Sequence, residues 1–272
     1  MRMVGGSGPI DVHLDRLQVT DTIALTDFDG AFQTAGGMQG EFAGLVNGQT
    51  RVTGTMIPQT GGSAFRIRSD DAGGVFRSSG VLRQGRGGDF NLTLVPDTQP
   101  GNFRGQLRVT DTQVKDAPAI AALINSISLI GLLDELSGQG IQFAEVDAKF
   151  VLGPSRLTLV SSSAVGPSIG ISMDGIYDVA TGQLNMQGVI SPVYLLNSIG
   201  SVLTRKGEGV LGFSYTLRGT SDDPSVSVNP LSALAPGIFR EIFRAPPPKV
   251  PGEEPEETDT GPSWSDGAAE GR

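Results

Sequence analysis

The sequence predicts a mainly β protein: a curled antiparallel sheet, trough-like or an open barrel, with three short amphipathic helices and a disordered C-terminal tail. Three observations carry this. Apolar and polar residues alternate with period two through most of the chain, the pattern of strands with one buried and one wet face. Clusters such as Gly61-Gly62-Ser63, Asp70-Asp71-Ala72-Gly73-Gly74 and Ala180-Thr181-Gly182 keep the connections short, which predicts a meander. Three stretches with helical spacing interrupt the alternation.

Alternation begins near Asp11. It is clearest in Met38-x-Gly40-x-Phe42-x-Gly44-x-Val46, Val52-x-Gly54-x-Met56, Phe65-x-Ile67, Phe90-x-Leu92-x-Leu94 and Phe103-x-Gly105-x-Leu107-x-Val109. The string Leu17-Gln-Val-Thr-Asp-Thr22 returns as Leu107-Arg-Val-Thr-Asp-Thr112; a strand end is expected at each copy, as in a chain built from similar units. The longest helix is expected over 117–137. No charge lies between Asp116 and Asp134, and Ile120, Leu123, Ile124, Ile127, Ile130, Leu133 and Leu136 share a face. Its uncharged part, 17 residues from Ala117 to Leu133, makes roughly 25 Å of helix against a hydrocarbon core of about 30 Å, so packing or an interfacial seat is favoured over spanning.

Strands resume with Ala144-x-Val146-x-Ala148-x-Phe150-x-Leu152, Leu157-x-Leu159, Ile169-x-Ile171-x-Met173-x-Gly175-x-Tyr177-x-Val179, Leu184-x-Met186-x-Gly188-x-Ile190 and Leu211-x-Phe213-x-Tyr215-x-Leu217. Ser191-Pro192 and Asn229-Pro230 each place a capping residue before a proline, predicting helices over 192–204 and 230–244. Residues 246–272 are proline-rich and acidic without periodicity, and are expected to be disordered.

Gly40, Gly44, Gly54, Gly105, Gly175 and Gly188 fall in phase with the apolar residues. A glycine there permits a sheet bend or leaves space on the buried face for a ligand; the bend is favoured, and the two are compatible.

The chemistry is sparse. The chain has no cysteine, which removes disulfides and thiolate chemistry. His13 is the only histidine, and its place in an alternating strand predicts a surface side chain, not a triad base. Ser161-Ser162-Ser163 reads as a polar turn, and Asp27-x-Asp29-Gly30 reads as a turn lacking the later ligands of a calcium loop. No nucleophile elbow or phosphate loop occurs, so no catalytic residue, metal ligand or cofactor is expected. Net charge is −9, with 29 acids against 20 bases; seven acids and two bases lie from Ala245 onward, leaving 22 and 18 in the body. A near-neutral body without a basic stripe excludes nucleic acid as the expected partner. The start, Met1-Arg-Met-Val-Gly-Gly-Ser-Gly, holds no signal-like or anchoring run, as expected of a cytosolic protein or a piece of a longer one.

From Gly101 to Arg244 the chain resembles the C-terminal region of AsmA-like proteins of alphaproteobacteria, the group related to AsmA, YhdP and TamB. The resemblance rests on Gly101-Asn-Phe-Arg-Gly-Gln-Leu-Arg-Val-Thr-Asp-Thr112, Leu132-Leu-Asp-Glu-Leu-Ser-Gly138, Ser163-Ala-Val-Gly-Pro-Ser-Ile-Gly-Ile-Ser-Met-Asp-Gly175, Gln187-Gly-Val-Ile-Ser-Pro192 and Asp223-Pro-Ser-Val-Ser-Val-Asn-Pro-Leu231. It covers a little over half the chain and brings no catalytic residues. It implies a periplasmic part of an envelope protein, held in the inner membrane by an N-terminal helix that this sequence lacks. Its long curled sheet would offer an apolar trough to phospholipid acyl chains.

The expected organisation is therefore strand repeats over 1–110, continuing a longer sheet, an AsmA-like region over 111–245, and the tail over 246–272. The residues expected to meet acyl chains are Phe42, Met56, Phe103, Leu107, Ile171, Met173, Gly175, Met186 and Gly188 on strands, with Ile120, Leu123, Ile124, Ile127 and Ile130 on the helix. The competing expectation is a closed core serving as a docking platform for envelope proteins, because both give the same alternation. A hydrolase ranks third.

Overall fold

In the computed structural model, which describes residues 9–128, 130–192, 212–220, 223–229 and 231–232, the alternating stretches pair in chain order. The strands are β1 (Ile10–Gln18), β2 (Ala24–Gln33), β3 (Gln39–Val46), β4 (Thr50–Gln59), β5 (Gly62–Ser69), β6 (Gly85–Arg86), β7 (Asp89–Pro96), β8 (Phe103–Val114), β9 (Ile141–Leu152), β10 (Arg156–Val165), β11 (Ile169–Asp178), β12 (Gln183–Pro192), β13 (Phe213–Thr220) and β14 (Pro224–Asn229). All belong to one antiparallel sheet that does not close, with β1 and β14 as its edges among the described residues and β6 prolonging β7 along β8.

Hairpin chemistry sets this order. Asn47 and Gly48 both take positive φ, 46° and 73°, the requirement of a turn whose twist matches the flanking strands. The Asn47 side chain accepts from Ala24 N (2.8 Å) and donates to Ser78 O (2.7 Å), tying the β3–β4 turn to β2 and to the first helix. At the β11–β12 turn the Asp178 carboxylate accepts from the backbone N–H and hydroxyl of Thr181 (2.8 and 2.9 Å). These two hydrogen bonds favour its charged form and hold it below the usual carboxylate range.

Three short helices lie among the described residues, and only one region coincides with expectation. The Asp70–Gly74 cluster is not a turn but opens α1 (Ala72–Ser79), whose N-cap Asp71 accepts from Gly74 N at 2.8 Å and whose C-cap Gly80 is left-handed. The helix expected over 117–137 is two: α2 (Pro118–Ser126) and α3 (Ile130–Ser137). Asn125, Ser126 and Ile127 are weak helix formers, the Ser126 hydroxyl bonds back to Ala122 O at 2.8 Å, and Ser128 breaks the run at φ 57°. Ser191 and Pro192 end strand β12; the rest of the helix expected over 192–204 lies outside the described residues. Asn229 does accept from Leu231 N (3.1 Å), as a cap would, but 233–244 and the tail 246–272 also lie outside them.

Three further expectations are corrected. Ser161-Ser162-Ser163 continues β10 through a bulge after Leu159. Asp27 (φ 47°) forms a bulge inside β2, so Asp27–Gly30 is strand, not turn. The second copy of the Leu-x-Val-Thr-Asp-Thr string lies inside β8, whereas the first runs off the end of β1, so the copies are not equivalent.

The apolar face carries two clusters. One gathers Leu25, Phe28, Phe32, Val46, Val52, Met56, Phe90 and Val109 with Ala72 and Val75 of α1; the other gathers Leu123 and Ile124 of α2, Leu132 and Leu136 of α3, and Ile141, Phe143, Leu159, Ile169, Ile190 and Tyr215 of the sheet. Val146 packs on both. The boundary expected at 110/111 falls inside β8, and the sheet runs through it. The curl is visible in α2: it follows β8, yet lies alongside β14, six strands further along the sheet.

Candidate functional site

The register aligns the apolar residues into continuous cross-strand rows. One runs Ile10–Phe32–Gly40–Met56–Phe65–Leu94–Gly105–Phe150–Leu159–Gly175–Met186–Leu217–Val226, each residue opposite the next. The adjacent row runs Val12–Gly30–Phe42–Gly54–Ile67–Leu92–Leu107–Ala148–Ser162–Met173–Gly188–Tyr215–Val228. Both cross every strand from β1 to β14 except β6. In these 26 positions the only polar side chains are Ser162 and Tyr215, and both are satisfied: Ser162 Oγ donates to Met173 O (2.8 Å) and Tyr215 Oη to Ser172 O (3.0 Å).

All nine strand residues expected to meet acyl chains lie on this face. Met56, Gly175 and Met186 are in the first row; Phe42, Leu107, Met173 and Gly188 are in the second. Phe103 and Ile171 stand in flanking rows, opposite Leu152 and Ile190. Their environments differ. Met56 and Met186 are buried, whereas Phe42, Phe103, Leu107, Ile171 and Met173 are half-buried. Half-buried too are Phe65, Ile67, Leu92, Leu94, Ala148 and Phe150, so the middle of the face is only partly covered. Of the helical candidates, Leu123 and Ile124 are buried in the C-terminal cluster, Ile120 and Ile127 pack at its border, and the Ile130 side chain lies outside the described atoms.

The glycines on the apolar phase are not empty. A side chain at Gly54 would meet the Phe42 ring at 2.2 Å, one at Gly105 the Phe150 ring at 2.2 Å, and one at Gly188 the Ser172 carbonyl at 1.9 Å and the Tyr215 hydroxyl at 2.7 Å. Gly175, at φ 146°, faces the Asn185 carbonyl at 2.4 Å. The expectation of ligand space at these positions gives way to aromatic rings and backbone of the chain itself.

On the opposite face His13 is exposed, as expected, and its Nδ1 lies 2.7 Å from Asp29 Oδ1. This hydrogen bond and the Asp29 charge push the imidazole above its ordinary value. Arg108 pairs across strands with Asp147 (2.9 Å) and Glu145 (3.6 Å). Toward β11–β13 the polar face is not wet: Ser172, Asp174 and Ser214 are buried, and Gln187 Nε2 donates to Asp174 Oδ2 at 2.9 Å. Strand alternation alone carries no sign of that burial.

Among the described residues no group of three histidine, cysteine or carboxylate side chains is placed to hold a metal ion, and no helix is long and apolar enough to cross a membrane. The chain matches no protein-family model, no curated protein and no solved structure. The arginines of the α1–β6 segment, Arg77, Arg83 and Arg86, surround a concavity that sequence reasoning missed. The only signal for it is Arg83-Gln-Gly-Arg-Gly-Gly88, a glycine-spaced cationic string.

Proposed function

We propose that this chain is a non-enzymatic lipid-binding module of a bacterial cell envelope, a segment of an AsmA-like phospholipid conduit that takes acyl chains along its apolar face. The observation that carries the reading is the pair of predominantly apolar rows spanning the open sheet and half-buried across its middle. A sheet that only needed a core would bury that stretch, because each exposed apolar Å² forgoes about 25 cal/mol. An unclosed, curled sheet with an apolar inner face offers a sliding contact without directional bonds, as chains of varied length and unsaturation require. In this reading the full-length protein works in the periplasm, held to the inner membrane by a segment N-terminal to this one, and supports outer-membrane homeostasis. Its ligands are phospholipids, with no cofactor and no nucleic acid.

One observation favours a second reading. The rings that fill the glycine positions are what a self-packed core provides, and in that case the module is a docking platform for envelope proteins. Organic extraction of the purified chain followed by mass spectrometry separates the two. The conduit predicts phospholipid recovered in a reproducible ratio to protein; a lipid-free monomer with a single sharp melt favours the platform.

A further inference from the structure

We infer that the concavity between α1 and β6 is a binding site for a phosphate group, and that in the conduit proposed above it holds the headgroup of a phospholipid whose chains lie on the apolar face. The cavity, about 400 Å³, is lined by Asp71, Arg77, Arg83, Arg86 and Gly87, a volume within the usual range of small-ligand sites. Three guanidiniums face one carboxylate, an excess of two positive charges on a chain whose net charge is −9. Guanidinium forks match the oxygens of a phosphate in paired hydrogen bonds, which is the chemistry this lining offers.

The site is built by the fold. Ala72 N and Gly73 N donate to Gly88 O (2.7 Å) and Gly87 O (2.9 Å), laying the start of α1 against the loop after β6. A side chain at Gly73 would stand 2.3 Å from Arg86 Cα, so glycine is what lets Arg86 come so close. Arg77 is fixed, donating to Gly85 O and lying 3.6 Å from Asp71. Arg83 and Arg86 are exposed, and neither has an ion-pair partner among the described residues.

Position links the cavity to the apolar face. Val75 and Phe76 of α1 pack on the N-terminal cluster, and Leu82, next to Arg83, packs on the C-terminal cluster. A phosphate among the arginines therefore lies beside elements that pack on both clusters.

The test titrates the full chain calorimetrically with inorganic phosphate, a soluble short-chain phosphatidylglycerol, and the matching neutral diacylglycerol. Two variants are compared: Arg83→Gln with Arg86→Gln, and Arg66→Gln with Arg68→Gln, which removes equal charge from the outer face of β5. The first should weaken phosphatidylglycerol at least tenfold and leave the diacylglycerol unchanged; the second should change neither by more than twofold. Equal weakening by both variants would reduce the effect to general charge and overturn the site, as would no weakening by the first. Arginine-dependent binding of inorganic phosphate, with neither lipid bound, would keep the anion site, make its ligand free phosphate, and remove the lipid reading. Binding of both lipids without any dependence on the arginines would keep the conduit and remove this site.

Discussion

Gly54 and Gly188 stand at equivalent phases of the apolar face, yet they are glycine for different reasons. At Gly54 the obstacle is the edge of the Phe42 ring, which a rotamer change can move; at Gly188 it is the Ser172 carbonyl, fixed by the ladder. Gly54→Ala should therefore cost about 1 kcal/mol or less, and Gly188→Ala about 2–3 kcal/mol, the range of overpacking without relaxation. Urea midpoints at constant m-value check the order, and a reversed order would sink the account of what fills these positions. The sequence makes their phase legible but not their neighbours, because the ring over a glycine comes from the opposing strand and depends on register. His13 gives a second test at this scale. Its folded pKa lies above the unfolded value of 6.5, so the His13–Asp29 pair contributes fully below about pH 6.5 and is lost as pH rises through the folded pKa. Both side chains are largely exposed, so the readout is the titration itself. The resonance of the sole histidine should have its midpoint above 6.5, and Asp29→Asn should bring it down.

The helices show how a correct apolar stripe can carry a wrong length. Leu123, Ile124, Leu132 and Leu136 do enter one cluster, but the chain turns between the first and second pairs at Ser128. Spacing records which residues are buried and is nearly blind to a break of a few residues, since a left-handed residue costs only about 1 kcal/mol when packing selects it. Ser128→Gly should accordingly raise stability by up to about 1 kcal/mol. The deeper probe is Ile124, fully buried in α2. Ile124→Glu places a carboxylate there without a partner and should cost about 3 kcal/mol or more, whereas Asn125→Glu, one residue on and exposed, should stay within about 0.5 kcal/mol. Equal melting temperatures for the two variants would mean α2 is not seated against the sheet alongside β14. α1 was illegible for the opposite reason. Gly73 and Gly74 read as turn residues, and their real cause, backbone pressed against Arg86 and the Asp71 carboxylate, is a tertiary contact that overrides propensity.

For the molecule as a whole, alternation and short hairpins were enough to predict one open antiparallel sheet and to place nine candidate residues on a single face. What they leave unread is continuity. Thirteen residues line up in each row only because hairpin lengths and the bulges at Asp27 and after Leu159 keep every strand in step. That continuity is the central claim, and neighbouring positions on β8 test it. Leu107 is half-buried on the apolar face, and Gln106 is exposed on the other. With a photoreactive benzoylphenylalanine placed at each position in turn, in cells producing the chain, irradiation should give phospholipid adducts at Leu107 and none at Gln106. Adducts absent from Leu107, or equal at both positions, would contradict an acyl-chain-bearing face.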